Sequence, residues 1–170
     1  MLFSQSSYAD FSIQKATPEF REGKLFVTAD MDLVLSEKVE EALSKGIPLN
    51  ILIEVRLLRP RSILWNETIG EWIMTRKIRY HALSSQYLVY TADDSQVESF
   101  TSLSQSLRHT GTLSEYEFPM THFPGKDEIY LLKMRASLNI ESLPAPLRPV
   151  AYTSLDWRLN SGWTTWQNRP

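Results

Sequence analysis

The chain has no cysteine, and that absence removes disulfides, thiolate nucleophiles, iron–sulfur clusters and cysteine-bound zinc from the chemistry open to it. It does not fix a redox compartment. A surplus of one charge sign is missing too: 18 basic against 20 acidic residues leave a net charge of −2, whereas a phosphate backbone is bound by a strongly basic domain or patch. Nucleic acid is therefore not an expected partner. No apolar run approaches the roughly 18 residues of a membrane-spanning helix, so no transmembrane span is expected. Also lacking are a G-x-S-x-G elbow, the glycine-rich phosphate cradles and any HxH or HExxH pairing, since His81, His109 and His122 are scattered. Nucleophilic, nucleotide and zinc chemistry thus have no local support, and neither a metal nor a cofactor is expected. A triad assembled from distant residues stays open, because triads are recognised by geometry and not by order.

What is present suits one domain. The 170 residues, 42% hydrophobic and 22% charged, are enough for a single core and too few for two comfortable ones. Residues 10–170 are expected to form that β-rich domain, with 143–170 as a proline- and tryptophan-rich closing segment. Residues 1–9 read as a disordered start or the remnant of an export signal. Ser7-Tyr8-Ala9 places small residues where a signal peptidase cuts, but Met1 to Ser6 has no basic region and no full apolar one.

Period-two alternation dominates the middle of the chain. Leu25, Val27, Ala29, Met31 and Leu33 share one face, as do Leu49, Ile51, Ile53, Val55 and Leu57. Trp72, Met74, Ile78 and Tyr80 repeat the pattern, and so do Tyr130, Leu132, Met134, Ala136, Leu138 and Ile140. Shorter strands are predicted from Asp10 to Lys15 and from Gln86 to Thr91, with a turn over Ala82 to Ser85. A helix capped by Ser36 should carry Val39, Ala42 and Leu43 inward and stop at Lys45-Gly46; a second should run from about Ser99 to His109 with Phe100, Leu103 and Leu107 as its stripe. Because each strand keeps a wet face, an antiparallel β-sandwich or strongly curved sheet with two short appended helices is predicted, with an α+β arrangement as the alternative. Residues 59–70 and 119–127 carry no regular pattern, and the prolines of Leu143 to Pro149 favour polyproline geometry there.

Several of these segments together carry a resemblance. Leu25-Phe26-Val27-Thr28-Ala29-Asp30-Met31-Asp32-Leu33, Glu41-Ala42-Leu43 to Gly46-Ile47-Pro48-Leu49, and Glu54-Val55 with Arg59-Pro60 form its first part. Leu143-Pro144-Ala145-Pro146-Leu147, Asp156-Trp157-Arg158-Leu159 and Trp163 complete it. Over nearly the whole chain the sequence resembles the proteobacterial DUF4390 family. The family has no assigned catalytic residues, so no site is carried over. Its members typically begin with an export signal, which implies a periplasmic or cell-envelope location and a protein partner there. Genes of the family often neighbour those for membrane sensor kinases, so the resemblance also implies a link to signalling. The missing apolar stretch at the start of this chain departs from the family pattern.

Three sets of residues are candidates for a site. Asp30, Asp32 and Glu54 would gather carboxylates if their strands paired, for hydrolase-like chemistry or a small ligand; otherwise they are acids on a wet strand face. Arg56, Lys77, Arg79, Lys133 and Arg135 either form an anion-binding stripe or pair across strands with Asp30, Asp32 and Glu54. Arg76 belongs to neither, because it alternates in phase with the inward residues and so needs a partner or an aromatic stack. Among the tryptophans, Trp72 is expected in the core. Trp65 lies in a loop, and Trp157, Trp163 and Trp166 crowd into ten positions of the tail. They offer either a recognition platform or a docked closing segment. With no catalytic constellation, a non-enzymatic interaction module is the preferred expectation.

Overall fold

The computed structural model describes residues 9–91, 95–122, 125 and 128–168. Of the expected start or signal remnant over 1–9, residues 1–8 lie outside them. Two antiparallel sheets make up the molecule. β1 (Phe11–Arg21), β2 (Lys24–Leu33) and β7 (Thr112–Pro119) form a three-stranded sheet in the order β1-β2-β7. The larger sheet contains β3 (Leu49–Arg59), β4 (Glu67–His81), β5 (Gln86–Thr91), β6 (Gln96–Phe100), β8 (Tyr130–Leu138) and β9 (Thr164–Asn168), in the order β6-β5-β4-β3-β8-β9. The inward faces of β2, β3 and β8 follow the alternation read from the sequence, and with Phe11, Ile78 and Val89 they merge into one hydrophobic core between the sheets. The other face of the six-stranded sheet carries Glu54, Arg56, Glu71, Lys133 and Arg135. The protein is therefore mainly β, as its patterning predicts.

β1 runs six residues beyond the expected Lys15. Its register slips between Ile13 and Lys15, so the inward series changes from Phe11 and Ile13 to Ala16, Pro18 and Phe20; strict alternation ends at the bulge while the strand continues. A similar slip opposite Val27 and Ala29 hides β7, where Leu113 and Phe118 are inward and Glu115 has a φ of 45°. β8 stops at Leu138, and Ile140 begins a 3-10 turn instead of extending the strand.

The first helix, α1 (Glu37–Ser44), forms as read. Ser36 Oγ accepts from the Val39 N–H at 3.3 Å, and Gly46 ends the turn at a φ of 86°, a conformation glycine adopts without strain. In α2 (Leu103–Gly111) the cap is Ser102 and the expected apolar stripe is only half-buried. Its buried face is Ser106, Thr110 and Gly111. The reason is proximity: a Cβ at position 111 would lie 2.3 Å from the Met31 carbonyl oxygen, so only small residues let the helix approach β2. Ser106 and Thr110 satisfy their own hydroxyls by donating to Leu103 and Ser106 carbonyls, each at 2.8 Å.

Polyproline geometry over 143–149 gives way to turns and a third helix, α3 (Arg148–Thr153). Pro149 sits in its first turn, where a missing N–H costs no helical bond. The tail then docks. Trp157 is 5% exposed, and the Asp156 carbonyl accepts from Ser36 Oγ at 2.7 Å, tying the closing segment to the cap of α1.

Candidate functional site

The wet face of the six-stranded sheet is built on β3, with β4 and β8 on either side. Lys133, Arg56 and Glu71 share one row across the three strands, and Arg135 and Glu54 share the next. The tail crosses this face. Asn160 bridges Ser137, the Ser161 N–H donates to the Ala136 carbonyl at 2.9 Å, and β9 then pairs with β8 from Thr164 opposite Met134. Trp163 is thereby laid over the cations. Its ring centroid is 4.5 Å from the Arg56 guanidinium carbon, 4.7 Å from that of Arg135 and 5.7 Å from Lys133 Nζ. Each such contact is worth about 0.5–1 kcal/mol on a partly wet surface.

Two of the cations are compensated. Arg135 Nε and Nη2 both lie 2.6 Å from Glu54 Oε2, and Arg56 Nε lies 2.6 Å from Glu71 Oε1. Lys133 has no carboxylate partner among the described residues. Three cations against two carboxylates leave this plate at +1. The expected stripe is therefore divided: Lys77 and Arg79 lie on β4 six and eight residues from the row of Arg56, roughly 20 and 26 Å away at a strand's rise. There Lys77 covers the Tyr90 ring at 4.5 Å, and Arg79 is exposed opposite Leu88.

Arg76 faces the core, as its phase predicts. It is 9% exposed, and its Nη1 donates to the carbonyl oxygens of His109, Thr110 and Thr112 at 2.9, 2.9 and 2.8 Å. Burial pulls its affinity for the proton down, opposed by the nearby Tyr116 and Glu98. The partner is thus the end of α2, where the helix dipole favours a cation.

The acids do not converge. Asp30 and Asp32 lie on β2 and Glu54 on β3, in different sheets, so the pairing that would have gathered them is absent. Asp30 and Asp32 instead border a cleft of about 700 Å³ between the end of β2, α1 and α2, where Glu40, Leu103 and Arg108 complete the wall. Among the described residues no group of three or more His, Asp or Glu side chains gathers in a way that would hold a metal ion.

The tryptophans divide by support. Trp157 is core, Trp166 packs half-buried against the core side of β8, and Trp72 is half-buried with Nε1 donating to the Pro119 carbonyl at 3.1 Å. Trp65 is 90% exposed. Beside it Ile63 and Leu64, which no alternation singles out, are 91% and 63% exposed. Three apolar residues in succession within an unpatterned loop were the available signal.

The base of this loop is braced by charge. Glu67 accepts from Arg61 at 2.7 Å and pairs with Arg59 at 3.4 Å; Glu128 pairs with Arg59 at 3.2 Å and accepts from the Tyr130 hydroxyl. The hydrogen bond from Arg61 holds the Glu67 carboxyl below its usual range. Those from Tyr130 and the Gly125 N–H do the same for Glu128. Burial, followed by the Glu128 carboxylate, pushes the Tyr130 phenol up.

Among the described residues no helix is long and apolar enough to cross a membrane. No curated protein and no solved structure matches the chain. The profile of the domain of unknown function DUF4390 matches residues 9–167, nearly the full length, and the chain belongs to that family.

Proposed function

We propose that the protein is a non-enzymatic interaction module of the cell envelope that binds a protein partner through the loop carrying Ile63, Leu64 and Trp65. The observation that carries this reading is the exposure of three consecutive large apolar side chains on a loop whose base is fixed by Arg59, Arg61, Glu67 and Glu128. Fully burying such a side chain is worth about 1.5–3 kcal/mol, and tryptophan is a frequent anchor at interfaces. The wet sheet face, with Trp163, Arg56, Lys133 and Arg135, supplies a polar surface suited to the rim of an interface. The envelope location and the link to membrane signalling rest on the export signal and gene neighbourhood typical of the family.

The test is a photo-crosslinking amino acid at position 65 in cells, with and without Ile63→Ser and Leu64→Ser. One discrete adduct that disappears with the serine changes, at an unchanged melting temperature, is the expected result. Adducts that persist with the serines in place would remove the loop from recognition.

A second reading keeps Asp30 and Asp32 as ligand-binding residues, favoured by the cleft they border. It does without Glu54, which is committed to Arg135. A ligand recognised there should be lost in Asp32→Asn while the crosslink at position 65 persists.

A further inference from the structure

Arginine keeps its charge at any pH the fold survives, and a charge turned toward a core calls for a counter-charge. Arg76 has no carboxylate within ion-pair reach among the described residues. Its three hydrogen bonds all converge on Nη1. The helix end that accepts them supplies about half a negative charge at most. The opposite edge of the guanidinium, formed by Nε and Nη2, has no partner among the described residues. Nor is either nitrogen sealed away, since among the described residues the buried side-chain nitrogen or oxygen without a bond is Nε of Arg59, on β3.

That arginine lines a pocket of about 430 Å³ together with Ile73, Met74, Thr91, Gln96 and Tyr116. The opening exists because β4 outruns its neighbour. The β4–β5 ladder spans Lys77 opposite Tyr90 to His81 opposite Gln86, so from Arg76 back toward Glu67 this edge of β4 has no strand partner among the described residues. Tyr116 of β7 stands across the gap. Glu98, which acts on Arg76 through space, pairs with His109 at 3.5 Å.

The geometry points to a binding site for a small organic carboxylate, held by the Nε–Nη2 edge of Arg76 with its hydrocarbon stem among Ile73, Met74 and Tyr116. The two N–H bonds of that edge run parallel and match the two oxygens of a carboxylate, the fork that makes arginine the usual choice for planar anions. The volume falls within the range of small-molecule sites, and the mixture of apolar walls and one cation suits a stem with a charged head. Thr91 and Gln96 offer a hydroxyl and an amide for further polar groups. This site is independent of the loop proposed for partner binding.

The experiment is a titration of the intact chain with benzoate, acetate and inorganic phosphate at constant ionic strength. It follows the arginine Nε–H resonances by NMR together with the melting temperature. Arg76→Lys assigns the resonance. Benzoate should shift that signal alone and saturably, with acetate at least about tenfold weaker and phosphate not saturating. Gln96→Glu keeps Arg76 and sets a carboxylate at the pocket; it should raise the melting temperature and weaken benzoate by at least about tenfold. If Arg76→Lys fails to fold, the signal moved by Gln96→Glu makes the assignment. The Ile63→Ser, Leu64→Ser chain should bind benzoate like the unaltered one. Equal shifts for every arginine or for all three anions would show general screening and overturn the site. Benzoate binding indifferent to Gln96→Glu, or tighter saturation by phosphate, would overturn it as well.

Discussion

Arg76 and Arg135 stand on the two strands that flank β3, and they point in opposite directions. Arg135 faces water, shares Glu54 and lies under Trp163; Arg76 faces the core, has no carboxylate, and holds three backbone carbonyls. A cation on the wet side keeps much of its hydration when a partner is removed. One on the dry side leaves its partners without any. The same residue type is thus a modest surface tie in one place and a structural pin with spare donors in the other.

The comparison is put under most strain by Arg76→Met. It removes a buried donor from three carbonyls at the end of α2, of which only that of His109 keeps a second donor, the Thr112 N–H, and it should cost about 3 kcal/mol, lowering the melting temperature by about 6–12 °C, whereas Arg135→Met should cost less than about 1 kcal/mol. Equal losses would erase the distinction between the two faces. Next in size is Trp163→Ala, which removes the ring shared by Arg56, Lys133 and Arg135 and should cost about 1–2 kcal/mol in a urea melt. Smaller again is the direct coupling of Arg135 with Glu54. A double-mutant cycle should return about 1 kcal/mol or less, declining as salt is raised.

The smallest effect lies at the base of the Trp65 loop. Glu67 and Glu128 have depressed folded values, so their contribution is complete above the usual glutamate value of 4.5 and is lost as the pH falls below it through the folded values. Tyr130 is raised, so its share is complete below the usual 10.0 and is lost as the pH rises through the folded value. Glu67→Gln with Glu128→Gln should flatten the acid limb of a plot of melting temperature against pH and leave the limb above 10.0 in place, though lessened by the lost Glu128 carboxylate.

Strands with one clean register were readable from alternation alone, which is why β2, β3 and the inward phase of Arg76 are where the pattern puts them. β1 and β7 carry bulges, and a slip of one residue breaks period two without ending the strand. β6 is almost wholly exposed and has no inward series to read. The buried face of α2 is small and polar because the helix touches backbone, a constraim that hydrophobicity does not register. Arg76 showed its need for a partner, but carbonyls at a helix end leave no side-chain signal. The gathering of Asp30, Asp32 and Glu54 depended on a pairing between β2 and β3. The helix α1 that connects them carries the chain from one sheet to the other. Trp163 lies over its cations because β9 runs along β8, a pairing that alternation within the tail does not encode.

β9 decides which strand stands at one edge of the six-stranded sheet. β8 has an inward face of Tyr130, Leu132, Met134, Ala136 and Leu138, and its outer edge is closed by β9. Until residues 160–168 arrive, that edge offers unpaired backbone beside a wholly apolar surface, the template on which strands of separate molecules assemble. The closing segment therefore covers that template, and a chain cut before Thr164 would be expected to precipitate sooner than it loses its secondary structure.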